Sequence, residues 1–213
     1  RWFTMRNEYQ VKGDVTEIYI DRKNGERHTV LIDTEDLEKV SKFSCWTYSN
    51  GYARNFKENV RMHRVIMDVT DPRLVVDHIN SNGLDNRKSN LRVCTNAENL
   101  QNVNGCYRSN KSSGVRGVYK SLAMDSWIVK VKLNGKLLNI CYEKDFHTAK
   151  ELAFTSIALL HPHSRERIKF LDLSEDERKR LTAQLIKKVQ QKRTHPNSDK
   201  ETILNLINQA LIS

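Results

Sequence analysis

Four residues in the middle of the chain have types and spacing that suit work on a phosphodiester. In VVDHINSNGLDNRKSNLRVCTNAENLQN, residues 75–102, a short apolar run ends in Asp77-His78. Asn90 opens a second run, LRVCT, and Asn99 lies in TNAENLQN, which reads as a helix start. Hydrolysing a phosphodiester takes a base to activate water and a cation to stabilise the phosphorane and the departing oxygen. A neutral imidazole near pH 7 suits the base. One carboxylate and one amide oxygen suit a hard cation that keeps its other positions for water and phosphate.

These residues need a scaffold that brings them together. Residues 74–79 (LVVDHI) and 91–95 (LRVCT) predict two strands joined by a polar excursion. Thr95 and Glu98 form a Ser/Thr-x-x-Glu box, in which hydroxyl and carboxylate each satisfy a free amide at a helix start. The order is strand, loop, strand, helix. Asp77 and His78 fall at the end of the first strand, Asn90 at the start of the second and Asn99 on the helix. Neighbours on a strand face opposite sides, so Asp77 and His78 share a site only if the strand bends or ends there. The INSNG that follows allows it.

The stretch resembles the HNH, or ββα-metal, endonuclease family over its full span. The His-Asn-Asn pattern, with Asn99 where many members carry His, is similar to phage intron-encoded nicking homing endonucleases. The resemblance implies that His78 is the general base and that Asp77 and Asn99 hold the metal. It implies that Asn90 is part of the catalytic motif in a structural role, tying the loop to the strand end and orienting His78. It also implies Mg²⁺ as cofactor, with Mn²⁺ able to replace it. An amide oxygen at position 99 argues against zinc. The family often carries a His-Arg pair before the motif, matched here by His63 and Arg64 in MHRVIM, and this assigns packing to His63 and a phosphate contact to Arg64.

Around this unit the chain is soluble in character: 213 residues, 38% hydrophobic, 29% charged, with no apolar run approaching the ~18 residues of a membrane span. Cys45, Cys94, Cys106 and Cys141 form no CxxC pair, which excludes a disulfide scaffold and fits a reducing, cytoplasmic setting. The first residues lack a signal-peptide pattern, and a start at Arg1 suits a trimmed or excised product. Residues 1–60 are electrically neutral. They predict a hairpin from strands 15–20 and 27–32, an acidic helix in DTEDLEKVSK, and a second hairpin turning at Asn50-Gly51. With no catalytic constellation, this module has scaffolding as its default role.

The net charge of +10 concentrates in residues 111–170, which hold 11 basic and 5 acidic residues. Such an excess points to an anionic partner, most simply nucleic acid. SGVRGVYKS, DSWIVKVKLNGK and LLNICYEKDF predict three strands. In the second, Trp127, Val129, Val131 and Leu133 alternate with Ile128, Lys130 and Lys132, so one face packs and the other projects lysines. A helix beginning at Thr148 offers Ala149, Leu152, Ala153, Ile157 and Leu160 to the packing face. SGVRGVY, SWIVKVKLNGK and DFHTAKELA resemble the AP2 DNA-binding domain found beside HNH nucleases in phages. By position, Tyr119, Ser121, Lys130, Lys132 and Asn139 would face the major groove, and Arg116, Lys120 and Lys136 the phosphates. Two departures stand out: ICYE replaces the usual glycine after the third strand, and the arginines that read guanine are largely replaced.

Boxes at Ser174–Glu177 and Ser198–Glu201 predict two C-terminal helices joined by KRTHPNS. They either reach DNA through Arg178, Lys179, Lys187, Lys188, Lys192 and Arg193, or pack on the AP2-like helix. The expected fold is α+β in four parts: a β-rich module (1–60), a ββα-metal nuclease core (61–108), an AP2-like sheet and helix (109–161) and a helical tail (162–213). The expected function is metal-dependent, site-directed cleavage of double-stranded DNA by a monomer that nicks one strand. The rival expectation is a sequence-specific DNA-binding regulator with an inactive HNH fold.

Overall fold

A computed structural model describes residues 5–103, 105–106, 110–192 and 199–212. The fold is mixed α and β, with several small sheets and a helical C-terminal tail. It divides into two compact units, residues 1–99 and 100–213. No described helix is long and apolar enough to cross a membrane.

In the first unit, β1 (Tyr9–Lys12), β2 (Val15–Asp21) and β3 (Arg27–Asp33) form an antiparallel sheet. The second and third are the predicted hairpin. After α1 (Leu37–Ser41), β4 (Thr47–Ser49) and β5 (Tyr52–Asn55) turn at Asn50-Gly51, both at positive φ as a two-residue hairpin turn requires. Next come β6 (Val60–Arg61) and α2 (Met62–Ile66). Strands β7 (Leu74–His78) and β8 (Leu91–Thr95) then pair antiparallel, followed by the single turn of α3 (Asn96–Asn99). The Thr95–Glu98 box forms as predicted: Glu98 accepts from the Thr95 amide at 2.7 Å, and the Glu98 amide donates to Thr95 Oγ1 at 3.3 Å.

The expected separation of 1–60 from 61–108 gives way to a shared core. Ile18, Ile20, Val30, Ile32 and Trp46 bury against Met62, Ile66, Val76 and Leu91. A lone hairpin cannot cover its own apolar face, and here α2 and the β7–β8 pair cover it. Each fully buried aliphatic side chain contributes about 1.5–3 kcal/mol. Backbone pairing joins the same parts. The Leu31 amide on β3 donates to the Leu84 carbonyl (2.8 Å), and the Asn86 amide donates to the Leu31 carbonyl (2.7 Å). The polar loop after His78 is thereby annexed to the edge of the first sheet.

The second unit contains β9 (Val118–Lys120), β10 (Trp127–Leu133) and β11 (Lys136–Glu143), an antiparallel sheet with β10 central. Helix α4 (Phe146–Leu160) lies on it, and all five residues of the predicted stripe are buried. Its start differs from expectation. Asp145 is the cap, accepting from the Thr148 amide at 2.6 Å, so the cap falls three residues before Thr148 and Thr148 lies inside the first turn. Gly117, at φ +79°, lets the turn before β9 press on α4: a Cβ there would lie 3.2 Å from Ile157 Cδ1 and from the Lys130 carbonyl. Three helices follow: α5 (Arg165–Leu171), which the sequence did not signal, α6 (Glu175–Gln190), capped by Ser174 as predicted, and α7 (Lys200–Ile212). Ser198 of the last predicted box lies outside the described residues, as does Arg193. Leu181, Leu185, Val189, Ile203 and Ile207 join α4 in one core, so of the two expected placements of the tail, packing on α4 is the one observed.

Candidate functional site

His78 is the last residue of β7 and is almost fully buried. Its Nε2 lies 3.0 Å from Oδ1 of Asn86, a side chain with no exposed surface. An amide oxygen only accepts, so Nε2 carries the proton and Nδ1 the lone pair. His63 meets the His78 ring edge-on at 4.9 Å, and Tyr52 lies 5.7 Å from it. Burial lowers the His78 pKa, opposed by the Asn86 hydrogen bond and the nearby Asp77 and Asp85 carboxylates. Burial, with His78 and two arginines close by, pushes His63 down to about 3. Both shifts favour the neutral imidazole. Gly83 makes the close packing possible: a Cβ there would sit 2.4 Å from the Gly51 carbonyl and 2.7 Å from the Tyr52 ring.

Asn90 bridges the loop and the start of β8. Its Oδ1 accepts from the Asn80 amide (3.0 Å), and its Nδ2 donates to the Asp85 carbonyl (2.7 Å) and to Asn80 Oδ1 (3.0 Å). Its own carbonyl accepts from the Ile79 amide at 2.9 Å. The amide-rich loop is thus a set of side chains standing in for strand partners just beyond His78. Asp85 joins the set, holding Asn80 at 2.9 Å and Arg87 through two 2.7 Å bonds. Arg87 keeps the Asp85 carboxyl below its usual pKa.

Asp77 faces the other way. Its Oδ2 accepts from Nε (2.9 Å) and Nη2 (2.6 Å) of Arg92, directly opposite on β8. Asn99 ends α3, which packs against both β7 and β8. Among the described residues, no three His, Cys, Asp or Glu are grouped so as to hold a metal. The donors that remain are one carboxylate and one amide oxygen. That chemistry fits a hard cation taking most of its ligands from water and phosphate, and fits zinc poorly. A cation at Asp77 would share the carboxylate with Arg92 or displace it.

The predicted DNA contacts divide into presented and withdrawn. Tyr119, Ile128 and Tyr142 form one cross-strand row, Lys130 and Asn139 the next, Lys132 and Leu137 the third. Lys130 Nζ lies 5.6 Å over the Tyr119 ring, and Asn139 donates to Tyr142 Oη at 3.1 Å. Lys120 is exposed but held by Asp125 at 2.8 Å, and Lys136 by Asp199 at 2.6 Å. Arg116 is a correction. Instead of reaching solvent it is buried, donating to Glu166 (2.9 Å) and the Gln101 carbonyl (2.9 Å), because α5 and the chain before β9 supply its acceptors. Ser121 is a second correction: it is buried, and its Oγ accepts from the Met124 amide to close the turn between β9 and β10. Arg64 is a third. Its guanidinium donates to the Leu74 (2.7 Å) and Asp71 (2.9 Å) carbonyls, bracing the entry to β7. In the tail, Lys188 pairs with Glu143 and Lys192 with the Asn139 carbonyl.

Sequence reasoning missed Asn86, Tyr52 and Arg92. Asn86 was hidden in a loop whose amides read equally well as turn formers. Arg92 could have been found by pairing β7 with β8 in register, which sets it opposite Asp77.

Residues 60–101, from β6 through α3, match the family model described as HNH endonuclease. The chain therefore carries an HNH endonuclease domain at those residues, a domain that points to nuclease activity on DNA. No curated protein and no solved structure matches the chain.

Proposed function

We propose that the protein is a divalent-metal-dependent, site-directed DNA endonuclease of the homing type that nicks one strand. The observation that carries the reading is the His78–Asn86 hydrogen bond inside the matched segment, which fixes the ring with Nδ1 as its basic nitrogen. His78 takes a proton from water. The water oxygen forms a bond to phosphorus as the bond to the 3′ oxygen breaks. Asp77 and Asn99 would hold Mg²⁺ or Mn²⁺, which supplies charge stabilisation to the phosphorane and the leaving oxygen. Asn90 and Asn86 keep the imidazole in place. The AP2-like sheet holds the duplex through Tyr119, Lys130, Lys132 and Asn139. One such centre per monomer suits a nick, and a phage-encoded chain would act in the host cytoplasm.

One observation favours a second reading, a DNA-binding regulator with a silent nuclease fold: Arg92 already occupies Asp77. Supercoiled plasmid carrying the home locus, incubated with Mg²⁺, Mn²⁺ or EDTA, separates the two. The endonuclease predicts a nicked circle with either metal and none with EDTA or with His78→Ala. Tight duplex binding with no cutting under any metal supports the regulator.

A further inference from the structure

Strands β5 and β6 set Arg54 and Arg61 directly opposite each other. Cross-strand neighbours share a face, and like charges so placed repel. Neither guanidinium meets a carboxylate among the described residues. Arg54 donates to Asn59 Oδ1 and lies 4.8 Å over Phe56; Arg61 lies 4.9 Å over Tyr52. These partners are neutral and leave the repulsion in place. Both arginines line an open cleft of about 720 Å³ together with Lys39, Lys42, Arg64 and Asp68. Asp68 is the only acid among its lining residues, and Lys39 holds it at 2.7 Å. The cleft is a cationic surface.

The same face leads to the imidazole. Tyr52 and Arg54 are two apart on β5 and so project together, which is why Arg61 reaches the Tyr52 ring diagonally. Tyr52 in turn lies 5.7 Å from His78. One aromatic ring therefore separates the Arg61 guanidinium from the base.

We propose that Arg54 and Arg61 clamp a backbone phosphate of the nucleic acid, within a few nucleotides of the bond that His78 acts on. A planar guanidinium fork matches phosphate oxygens in pairs, and two forks on one face give the strand a fixed register. The phosphate removes the repulsion that the paired strands otherwise carry. The clamp rests on the reading of the chain as a DNA endonuclease and adds to it a contact in the N-terminal part that holds the scissile strand.

The test is equilibrium binding of the full chain to a labelled random-sequence duplex, without divalent metal, across a salt series. Arg54→Gln and Arg61→Gln should each reduce the slope of log K against log salt by about 1, and the double variant by about 2. Arg61→Lys, which keeps the charge, should keep the slope. Melting temperatures of both Gln variants should equal or exceed wild type, because a repulsion is removed; a purely structural role predicts lower values. Loss of inorganic phosphate binding by the variants, with duplex binding unchanged, would overturn the clamp in favour of a free-anion site. A wild-type slope in the double variant, while the wild-type chain still nicks plasmid, overturns the clamp alone. A wild-type chain that binds no duplex overturns the clamp together with the reading beneath it.

Discussion

Replacing Asn86 by Ala removes one acceptor and leaves the imidazole Nε2–H of His78 facing a cavity with no water-exposed surface. A buried donor stranded in this way costs about 1–3 kcal/mol. Part of that cost falls on the fold. The rest falls on the His78 tautomer and orientation, which relax to restore a partner. If it fell wholly on the competent state, the nicking rate would drop roughly five- to 150-fold, at 1.4 kcal/mol per factor of ten. The Asn86 backbone bond to Leu31 survives the change, so the loop should stay docked. Asn86→Asp keeps an acceptor and should retain the Nε2–H tautomer. Its carboxylate stabilises the imidazolium, so the activity profile should move to higher pH. The assay is single-turnover nicking against pH, with ¹⁵N shifts of the His78 ring reporting the tautomer. Nicking by Asn86→Ala within a factor of two of wild type, with unchanged ring shifts, would refute the idea that this amide holds the base.

Asn90→Ala should lower both melting temperature and nicking rate, since it deletes three side-chain hydrogen bonds of the loop at about 1 kcal/mol or more each; thermal melts alongside plasmid assays decide it. Lys130→Ala with Lys132→Ala should weaken duplex binding and flatten its salt slope by about 2 if both touch phosphates, read by the same titration used for the clamp. For the metal, Mg²⁺ and Mn²⁺ should support cutting and Zn²⁺ poorly, and Asp77→Asn should harm more than Asn99→Asp, which keeps an oxygen and adds charge; cleavage series across these ions, with EDTA as control, test it. His63 has a folded-state pKa near 3, well below its unfolded value, so the unfolded chain binds the proton first on acidification. Its contribution is complete above about pH 6.5 and falls by up to roughly 1.4 kcal/mol per pH unit below it. Melts at pH 7.5 and 4.5 should show a smaller loss for His63→Leu than for wild type.

Much of this was legible because the signals were local. The Asn50-Gly51 turn, the Thr95–Glu98 box and the alternation around Val129 and Val131 each follow from a few adjacent residues, and each appears where expected. The loop-tying job expected of Asn90 came from the resemblance to the HNH family, since its amide alone reads equally well as a turn former. The failures are of two kinds, partners that lie elsewhere in the chain and choices between near neighbours. Arg116 looked like a surface cation until Glu166, fifty residues later, proved to be its partner. Arg64 looked like a phosphate contact until two carbonyls beyond its helix took its donors. Asp145 displaced Thr148 as a cap because two valid cap residues stand three apart and the earlier one opens the helix. The contribution of residues 1–60 was invisible because β3 meets the loop after His78 through backbone atoms, which no side-chain pattern records.

That backbone seam between Leu31 and the loop at Leu84 and Asn86 bears on how portable the nuclease motif is. A cassette cut to the matched residues would carry the histidine, the acid and both asparagines. It would leave behind the strand that holds Asn86 and the buried Ile18, Ile20, Val30, Ile32 and Trp46 that share a core with Val76. Transplanted alone, it arrives with the whole matched motif and an unmoored loop. A host that accepts this motif must therefore bring an edge strand of its own, so recombination among such chains is constrained less by which residues react than by who lends the missing strand.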